Sequence, residues 1–246
     1  MNNLEAHVES LRCEESFEGQ LQRVYSEIVS SGDTVIDVGA HSGRHSLPLS
    51  LYVGAEGRVQ SIEANPVALE WLLSQIRTFA CNNVTTKNLA LSNVVGDKAD
   101  FFVAVDRPEE SGLQPRKMYN GETELEKISV KTATLDELFS ETPVTFIKID
   151  VEGAEWLVLQ GTRKLLESST PIVAFEFGQS SYESFDVDPA QVYDFFDELN
   201  YVLYSIHGKK LTQQEFVDAS VAQNFWDYFA VPTAKTEKFE KNRAFG

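Results

Sequence analysis

The sequence is poor in cysteine, and this shortage excludes two classes of protein. Its 246 residues include two cysteines, Cys13 and Cys81, which are too few for a framework of disulfide bonds. Cysteine and histidine nowhere have the spacing of zinc ligands in this sequence. We therefore expect both cysteines to be ordinary thiols in a reducing compartment.

Basic residues and long apolar runs are also scarce. The chain has 21 lysines and arginines against 38 aspartates and glutamates, which gives a net charge of −17. A surface this acidic repels phosphate backbones and anionic membranes, so we expect neither nucleic acid nor a membrane as a partner. No uncharged apolar stretch approaches the roughly 20 residues that span a bilayer, and the polar start does not resemble a secretory signal. These features predict a cytoplasmic protein and leave its oligomeric state open.

The hydrophobic pattern predicts strands that alternate with helices. Helical periodicity runs over residues 4–31, and the β-branched residues 34–38 form the first predicted strand. Further strands are predicted at residues 58–62, 84–91, 99–105, 128–132, 144–150, 172–177, 201–206 and 224–231. Alternation of this kind indicates parallel βαβ units, and hence an α/β fold with a doubly wound, mostly parallel sheet.

The same pattern divides the chain into three parts. We expect an N-terminal helical segment over residues 1–32, one α/β domain over 33–232, and a charged tail over 233–246 that frays. A hairpin turn is predicted at residues 96–97. The polar stretch over 106–127 is long for a connection, which indicates a functional loop or a mobile insert.

Acidic residues stand at or near the ends of four predicted strands. They are Asp37, Glu63, Asp150 and Glu176. In doubly wound sheets, ligands bind at the carboxyl ends of the strands. The sequence therefore predicts a ligand site at this edge of the sheet.

The turn after the first strand, Asp37 to Gly43, has the sequence DVGAHSG. Gly39 and Gly43 allow positive φ and close approach of a ligand to the backbone, and amides at a helix start can hold a carboxylate or a phosphate. Glu63 ends the second strand 24 residues after Gly39. There it can accept hydrogen bonds from both hydroxyls of an adenosine ribose. Together these residues predict a nucleoside site.

His41 distinguishes two kinds of nucleotide. Turns that bind dinucleotides read Gly-x-Gly-x-x-Gly, and His41 stands where the second glycine would admit a pyrophosphate. A nucleoside without phosphates fits better, and S-adenosylmethionine is one, with an ammonium group that Asp37 could attract. Two alternatives stay open, namely an NAD-dependent oxidoreductase and a non-catalytic nucleoside-binding module. In a purely structural interpretation, Asp37 caps the turn and Glu63 caps the next helix.

Three stretches together resemble the FkbM family of methyltransferases. They are Asp37–Gly43, Glu63–Pro66 and Lys148–Glu155, and the likeness runs from about Asp33 to Val231. The resemblance implies a class I, Rossmann-like methyltransferase domain over 33–232, with an antiparallel C-terminal edge strand. It also implies S-adenosylmethionine as methyl donor and, usually, O-methylation of a small molecule such as a sugar or a polyketide. His41 departs from the family, which commonly has asparagine at this position.

The resemblance further implies which residues contact the donor. Those around its methionine part would be Asp37, Gly39, Ala40, His41 and Gly43. Glu63 would hold the ribose. Residues beside the adenine would be Ala64, Asn65, Asn88, Leu89 and Ala90. The loop Ser111–Leu113 would cover the cofactor.

Asp150 is the first candidate for the acceptor side, because it ends the strongest predicted strand. A hydroxyl acceptor loses a proton during methyl transfer, so a base within hydrogen-bond reach helps. The candidate bases are Asp150, Glu152, Glu176 and His207. Asp150 with Glu176 could instead bind Mg²⁺, which would acidify the hydroxyl. Two carboxylates are thin evidence, and we assign no metal ligand from the sequence. The expected acceptor is a small molecule or a carbohydrate.

The acceptor-side candidates also have structural interpretations. Lys148 and Asp150 could form a buried ion pair, and Glu152 and Glu155 suit the start of a helix, where the dipole favours negative charge. His207 follows a late predicted strand, and a histidine in a loop is commonly exposed and inert. His45, on the helix after the first turn, is predicted to be a packing or a surface residue.

Overall fold

The computed structural model describes residues 3–115 and 123–242, and within these ranges ten strands form two sheets. The strands are β1 (Thr34–Val38), β2 (Arg58–Ile62), β3 (Val84–Lys87), β4 (Ala90–Leu91), β5 (Gly96–Ala104), β6 (Leu125–Ala133), β7 (Phe146–Ile149), β8 (Ile172–Glu176), β9 (Tyr201–Ser205) and β10 (Asp227–Pro232). The helices are α1 (Asn3–Arg12), α2 (Phe17–Ser26), α3 (Ser46–Val53), α4 (Pro66–Phe79), α5 (Leu135–Phe139), α6 (Glu155–Gln160), α7 (Arg163–Ser169), α8 (Gln179–Phe185), α9 (Pro189–Glu198), α10 (Gln213–Ala222) and α11 (Thr236–Asn242).

A seven-stranded sheet forms the centre of the fold, in the order β3-β2-β1-β7-β8-β10-β9. β1 pairs in parallel with β2 and β7, β2 with β3, and β7 with β8. β10 is antiparallel to both β8 and β9. The predicted doubly wound, mostly parallel sheet with an antiparallel C-terminal strand at one side is confirmed. The antiparallel strand lies one position in from the edge, which β9 occupies.

The central strands are buried on both faces, which explains their nearly continuous apolar sequences. On β1, Ile36 and Val38 join one apolar cluster, and Val35 joins the cluster on the opposite face. Helices α2 and α3 cover the second cluster, where Tyr25 and Leu49 are fully buried. Helices α6, α7 and α9 cover the first. Covered faces leave the carboxyl ends of the parallel strands as the place where a ligand can enter.

A second sheet, in the order β4-β6-β5, was not predicted as a separate unit. The predicted hairpin at 96–97 is wrong, because Gly96 pairs with Thr132 and β5 continues to Ala104. The predicted strand over 84–91 is two strands, of which β3 joins the main sheet and β4 pairs with β6. Asn88 lies between them, and its side-chain amide donates to the Glu63 carbonyl at 2.8 Å. This bond fixes the crossing from one sheet to the other.

The N-terminal segment forms two helices instead of the single helix predicted. α2 begins after Ser16, whose Oγ accepts a hydrogen bond from the Gly19 amide at 3.1 Å. Arg44 ties the segment to the α/β domain, because its guanidinium donates to Gln22 Oε1 at 2.8 Å and to the Leu11 carbonyl at 3.1 Å. Over the described residues, no helix is both long and apolar enough to cross a membrane.

The tail is docked rather than frayed as far as Asn242, and residues 243–246 lie outside the described ranges. Phe239 on α11 is 2% exposed, and its ring lies 5.0 Å from that of Tyr204 and 5.7 Å from that of Phe229. The Asn242 amide donates to the Glu27 carbonyl at 2.9 Å. The charged composition concealed one buried aromatic residue, which accounts for the wrong prediction.

We expect Phe239→Ala to lower the free energy of unfolding by about 3–5 kcal/mol, because it leaves a cavity beside two aromatic rings. Chemical denaturation of the variant and of the wild type measures this difference. Lys238→Ala, on the exposed side of the same helix, is the matched control and should change stability by less than about 0.5 kcal/mol. Equal stability of all three proteins would contradict the docked tail.

Candidate active site

One cavity, with a volume of about 280 Å³, opens at the carboxyl ends of β1, β2, β7 and β8. Three groups of residues line it. The turn after β1 and the segments after β2 and β3 contribute Gly39, Ala40, His41, Glu63, Ala64, Leu89 and Ala90. The ends of β7 and β8 contribute Lys148, Asp150, Val151, Glu152 and Glu176. The N-terminal part and the stretch after β5 contribute Glu18, Arg44, His45, Pro108, Glu109, Ser111 and Leu113.

The turn after β1 depends on Gly39, whose φ is +75°. A Cβ atom at this position would lie 1.6 Å from the Asp150 carbonyl oxygen. That distance is far inside van der Waals contact, so no residue with a side chain fits here. Only glycine therefore lets the first turn pack directly against the end of β7. His41 also has a positive φ, of +45°. Asparagine and histidine tolerate this left-handed conformation better than most residues, so the departure at position 41 preserves the backbone of the turn.

Glu63 connects the first turn to the start of α4. Its Oε2 accepts a hydrogen bond from the His41 amide and its Oε1 accepts one from the Asn65 amide, each at 2.7 Å. The side chain is nearly buried, and burial raises the pKa of Glu63 to about 7, although both amide bonds act in the opposite direction. Asn65 caps α4, because its Oδ1 accepts from the Val67 amide at 3.0 Å.

Asp37 lies beneath the turn and does not line the cavity. It is fully buried, and its Oδ2 accepts a hydrogen bond from the Ser46 hydroxyl at 2.6 Å. Its Oδ1 lies 4.0 Å from the Lys148 ammonium. These contacts favour the structural interpretation of Asp37 over direct attraction of a ligand's ammonium group.

Lys148 carries a buried positive charge between two carboxylates. Its Nζ donates to Asp150 Oδ2 at 2.9 Å. Burial alone would lower the pKa of Lys148, but Asp150, Asp37 and Glu18 outweigh it and raise that pKa. The lysine therefore stays charged, and its hydrogen bond holds the Oδ2 atom of Asp150. The other oxygen, Oδ1, is buried and has no hydrogen-bond partner within the described residues.

The loop after β7 is held by Glu155, which is itself buried. Its Oε1 accepts hydrogen bonds from the amides of Val151 and Gly153 at 3.0 and 3.1 Å. Its Oε2 accepts one from the Ser181 hydroxyl at 2.7 Å. Burial raises the pKa of Glu155. This residue is a structural anchor of the loop, in agreement with the structural interpretation made from the sequence.

The anchored loop brings three carboxylates together. Glu152 has a left-handed φ of +60°, an unusual conformation for glutamate that is commonly found at functional sites. One oxygen each of Asp150, Glu152 and Glu176 lies within 4.8 Å of the others. The candidate carboxylates at the ends of β7 and β8 and in the loop after β7 therefore share one wall of the cavity.

The stretch after β5 closes part of the cavity and is anchored by main-chain bonds. The Phe102 amide donates to the Gly112 carbonyl at 2.8 Å, and the Gly112 amide donates to the Phe102 carbonyl at 3.1 Å. The Ser111 hydroxyl accepts from the Ala104 amide at 3.0 Å. Ser111 and Leu113 line the cavity as the sequence predicted, whereas residues 116–122 of the same stretch lie outside the described ranges.

Comparison with known families agrees with this geometry. The profile of the methyltransferase FkbM domain matches residues 37–203, which is more than half of the chain. The chain belongs to the FkbM methyltransferase family. The match begins at the turn of β1 and includes Glu63 and the carboxylates that follow β7 and β8. No curated protein matches the chain.

Solved structures show the same class I methyltransferase fold. A proposed rRNA methylase from Clostridium thermocellum is 14% identical, with a TM-score of 0.52 over 88% of this chain and 94% of that one. An S-adenosylmethionine-dependent O-methyltransferase from Thermotoga maritima is 15% identical, with a TM-score of 0.50 over 87% of this chain and 64% of that one. An FkbM methyltransferase from Methylobacillus flagellatus is 15% identical, with a TM-score of 0.49. That match covers 91% of this chain and 57% of the other protein, so this chain spans little more than half of its length.

Besides Asp37 and Asn88, three further predicted site residues of this FkbM family member are absent from the cavity lining. His207 contacts α2 instead, with its Nδ1 2.9 Å from Gln20 Nε2, and it is absent from the cavity lining. Gly43 faces Leu72 of α4. Asn65 caps a helix. The turn after β1 and the start of α4 therefore border the cavity, whereas Gly43 and Asn65 do not line it.

Several titratable groups near the acceptor side were missed in the sequence, among them Glu18, His45 and Asp227. Glu18 lines the cavity from α2, and His45 lines it from the start of α3, although it was predicted to be a packing or a surface residue. Asp227 begins β10 opposite Glu176. Burial, Glu18 and Asp150 raise the pKa of Asp227 well above its usual value. No local pattern marks these residues, because each reaches the site only through the packing of distant elements.

We expect the stability of the wild type to decline as the pH rises from about 4.5 to about 7, by up to about 3 kcal/mol from Glu63 alone. Because its pKa is raised in the folded protein, Glu63 keeps its proton in this pH range, whereas the unfolded chain has already released it. The free energy of unfolding therefore decreases as the pH rises. Denaturation of Glu63→Gln across the same range should show a smaller decline. Glu70→Gln, exposed on α4, should follow the wild type, and parallel curves for Glu63→Gln would contradict the assignment.

Proposed function

We propose that this chain is an S-adenosylmethionine-dependent O-methyltransferase that acts on a hydroxyl group of a small molecule or a sugar. The observation that carries the proposal is one cavity with two chemically different sides. Gly39, His41 and Glu63 form the side suited to a nucleoside, and Asp150 lies across from them at the end of β7. Membership of the FkbM family supports the donor, and the carboxylates support a hydroxyl acceptor.

Glu63 fits the ribose of the donor in its charge and its remaining bonding capacity. Each of its oxygens accepts one main-chain amide, which leaves an acceptor position on each for a ribose hydroxyl. His41 stands where a dinucleotide-binding turn would have its second glycine, so a donor without a pyrophosphate fits better than NAD. When bound, the sulfonium of S-adenosylmethionine supplies the methyl group.

His41 adds a polar contact at the donor side. Its ring lies edge-on to Trp71, with 5.7 Å between ring centroids, and its Nε2 is buried without a hydrogen-bond partner among the described residues. Burial lowers the pKa of His41, which favours the neutral ring. A neutral imidazole does not repel the positive sulfonium, and its Nε2 can bond to a polar group of the donor.

Asp150 is the group best placed to receive the acceptor proton. Lys148 fixes one of its oxygens, Oδ2, and the other, Oδ1, has no hydrogen-bond partner among the described residues. With the donor bound, its sulfonium would supply the methyl group, and Asp150 would accept the proton that the acceptor hydroxyl loses as its oxygen forms the new bond to carbon. One oxygen each of Glu152 and Glu176 lies within 4.8 Å of an Asp150 oxygen, and their negative charge favours a proton on Asp150.

The charge of the acceptor side also limits the substrate. Glu18, Asp150, Glu152 and Glu176 all face the cavity, opposed by Lys148 and Arg44. Carboxylates at this density disfavour phosphorylated acceptors and nucleic-acid backbones. The negative charge of the cavity therefore favours a neutral, hydroxyl-rich acceptor, even though rRNA methylases share the fold.

Calorimetry with S-adenosylmethionine, S-adenosylhomocysteine and NAD tests the donor assignment. We expect both sulfur nucleosides to bind and NAD not to bind. Glu63→Ala should weaken binding of the donor by about 1.5–3 kcal/mol, because charge-assisted hydrogen bonds to the ribose are lost. Glu70→Ala is the control and should bind the donor like the wild type. Binding of NAD alone, or unchanged affinity in Glu63→Ala, would contradict the proposal.

Asp150→Asn should lower turnover at least tenfold while the affinity for S-adenosylmethionine stays within about twofold, because a general base typically contributes ~100-fold or more. Transfer of a tritiated methyl group into small-molecule extracts measures turnover. Asp106→Asn, exposed in the stretch after β5, should behave like the wild type. Lower stability with normal turnover per folded molecule would return Asp150 to a structural role.

The same assay includes a test for Mg²⁺. The three neighbouring carboxylates offer oxygen ligands of the kind that Mg²⁺ prefers, and a bound ion would acidify the acceptor hydroxyl in place of a base. Transfer that survives EDTA favours Asp150 as the base. Transfer that EDTA abolishes and Mg²⁺ restores favours the metal. If the donor binds tightly and no extract is methylated, a non-catalytic binding role is favoured.

A further inference from the structure

Glu18 brings a carboxylate into the cavity from outside the part of the chain that matches the FkbM domain. The match begins at residue 37, whereas Glu18 is the second residue of α2. The Ser16 cap fixes the start of this helix, so the direction of Glu18 is set by the backbone. Half of its side chain is exposed, at 49%, and it lines the cavity. Helix α2 therefore forms part of the wall of the site.

Behind Glu18 runs a chain of buried polar groups. Glu18 Oε2 makes a short contact with His45 Nε2, and His45 Nδ1 lies 3.0 Å from the Tyr25 hydroxyl. His45 is 3% exposed and Tyr25 is fully buried. Burying polar groups without hydrogen-bond partners costs free energy. Here His45 is the partner of both the Glu18 carboxylate and the Tyr25 hydroxyl. The arrangement fixes one oxygen of Glu18 and leaves Oε1 without a donor among the described residues.

The two cations near Glu18 are hydrogen-bonded to other groups. Arg44 is engaged by Gln22, by the Leu11 carbonyl and by Glu14, at 2.8, 3.1 and 3.2 Å. Lys148 is bonded to Asp150. Burial alone would raise the pKa of Glu18, but His45, Lys148 and Arg44 outweigh it and lower that pKa, so Glu18 is ionised and acts as a hydrogen-bond acceptor rather than as a base.

We propose that Glu18 is an acceptor-binding residue, whose Oε1 accepts a hydrogen bond from a second hydroxyl of the methyl acceptor. His45 and Tyr25 are positioning residues that hold it. This inference rests on the proposed methyl transfer, and it narrows the substrate class. An acceptor that meets both Asp150 and Glu18 carries at least two hydrogen-bond donors, one that is methylated and one that is bound, as in a polyhydroxylated small molecule.

The test compares wild type, Glu18→Gln and Tyr25→Phe in two measurements. Calorimetry gives the affinity for S-adenosylmethionine. Tritiated-methyl transfer into a filtered metabolite extract, used at increasing amounts, gives the amount of extract at half-maximal rate. We expect Glu18→Gln to raise that amount roughly 10- to 100-fold, because a hydrogen bond to a charged group is weakened. Tyr25→Phe should raise it less, and donor affinity should stay within twofold in both variants.

Glu15→Gln, exposed just before α2, is the matched control and should leave both measurements unchanged. The proposal is overturned if Glu18→Gln saturates like the wild type, or if its only effect is a loss of folded protein while Tyr25→Phe saturates normally. Mass spectrometry of the product is a further check, since a product without a second hydrogen-bond donor also overturns it. No methylation by the wild type would instead refute the proposed function, and this inference with it.

Discussion

The direct contact between the Gly39 backbone and the Asp150 carbonyl is the constraint on which the site depends. Because no side chain separates them, the first turn and the end of β7 behave as one unit. The Asp150 amide adds to this by donating to the Val38 carbonyl at 3.1 Å. The distance between the donor side and the acceptor side is thus set by the sheet itself, and sheets are the stiffest part of such a fold. In-line transfer between two bound molecules requires this kind of fixed spacing.

Charge organises what the sheet positions. Lys148 lies between Asp37 and Asp150, so the fully buried carboxylate under the turn and the partly buried one at the cavity share a cation. Glu63 and Glu155 use their carboxylates differently, as acceptors for main-chain amides that define the two loops. The four carboxylates therefore have three roles. Asp37 is the buried partner of Lys148, Asp150 is available at the cavity, and Glu63 and Glu155 each hold a loop. Their surroundings, rather than their residue type, decide which of them can act on a ligand.

The strand ends were predictable because their information is local. A β-branched run, a glycine turn and an acidic residue identify β1 with Gly39, β2 with Glu63 and β7 with Asp150, and the structure brings them to one cavity. The residues that were missed depend on long-range packing. Glu18 reaches the cavity only because α2 packs beside it. Residues 90–91 do not continue β3, because the Asn88 side chain bonds to the end of β2 between the two strands. The docked tail depended on one aromatic residue in a charged segment.

The position of β10 has a consequence for how the chain is made. β10 lies between β8 and β9, although it follows both of them along the chain. Until residues 227–232 leave the ribosome, β8 has an unpaired edge and β9 has no neighbour in the sheet. The first five parallel strands can assemble earlier, so the nascent chain passes through a stage with a formed donor turn and an open sheet edge. Open edges invite pairing with other chains, which makes this late stage the one where molecular chaperones would matter most for this fold.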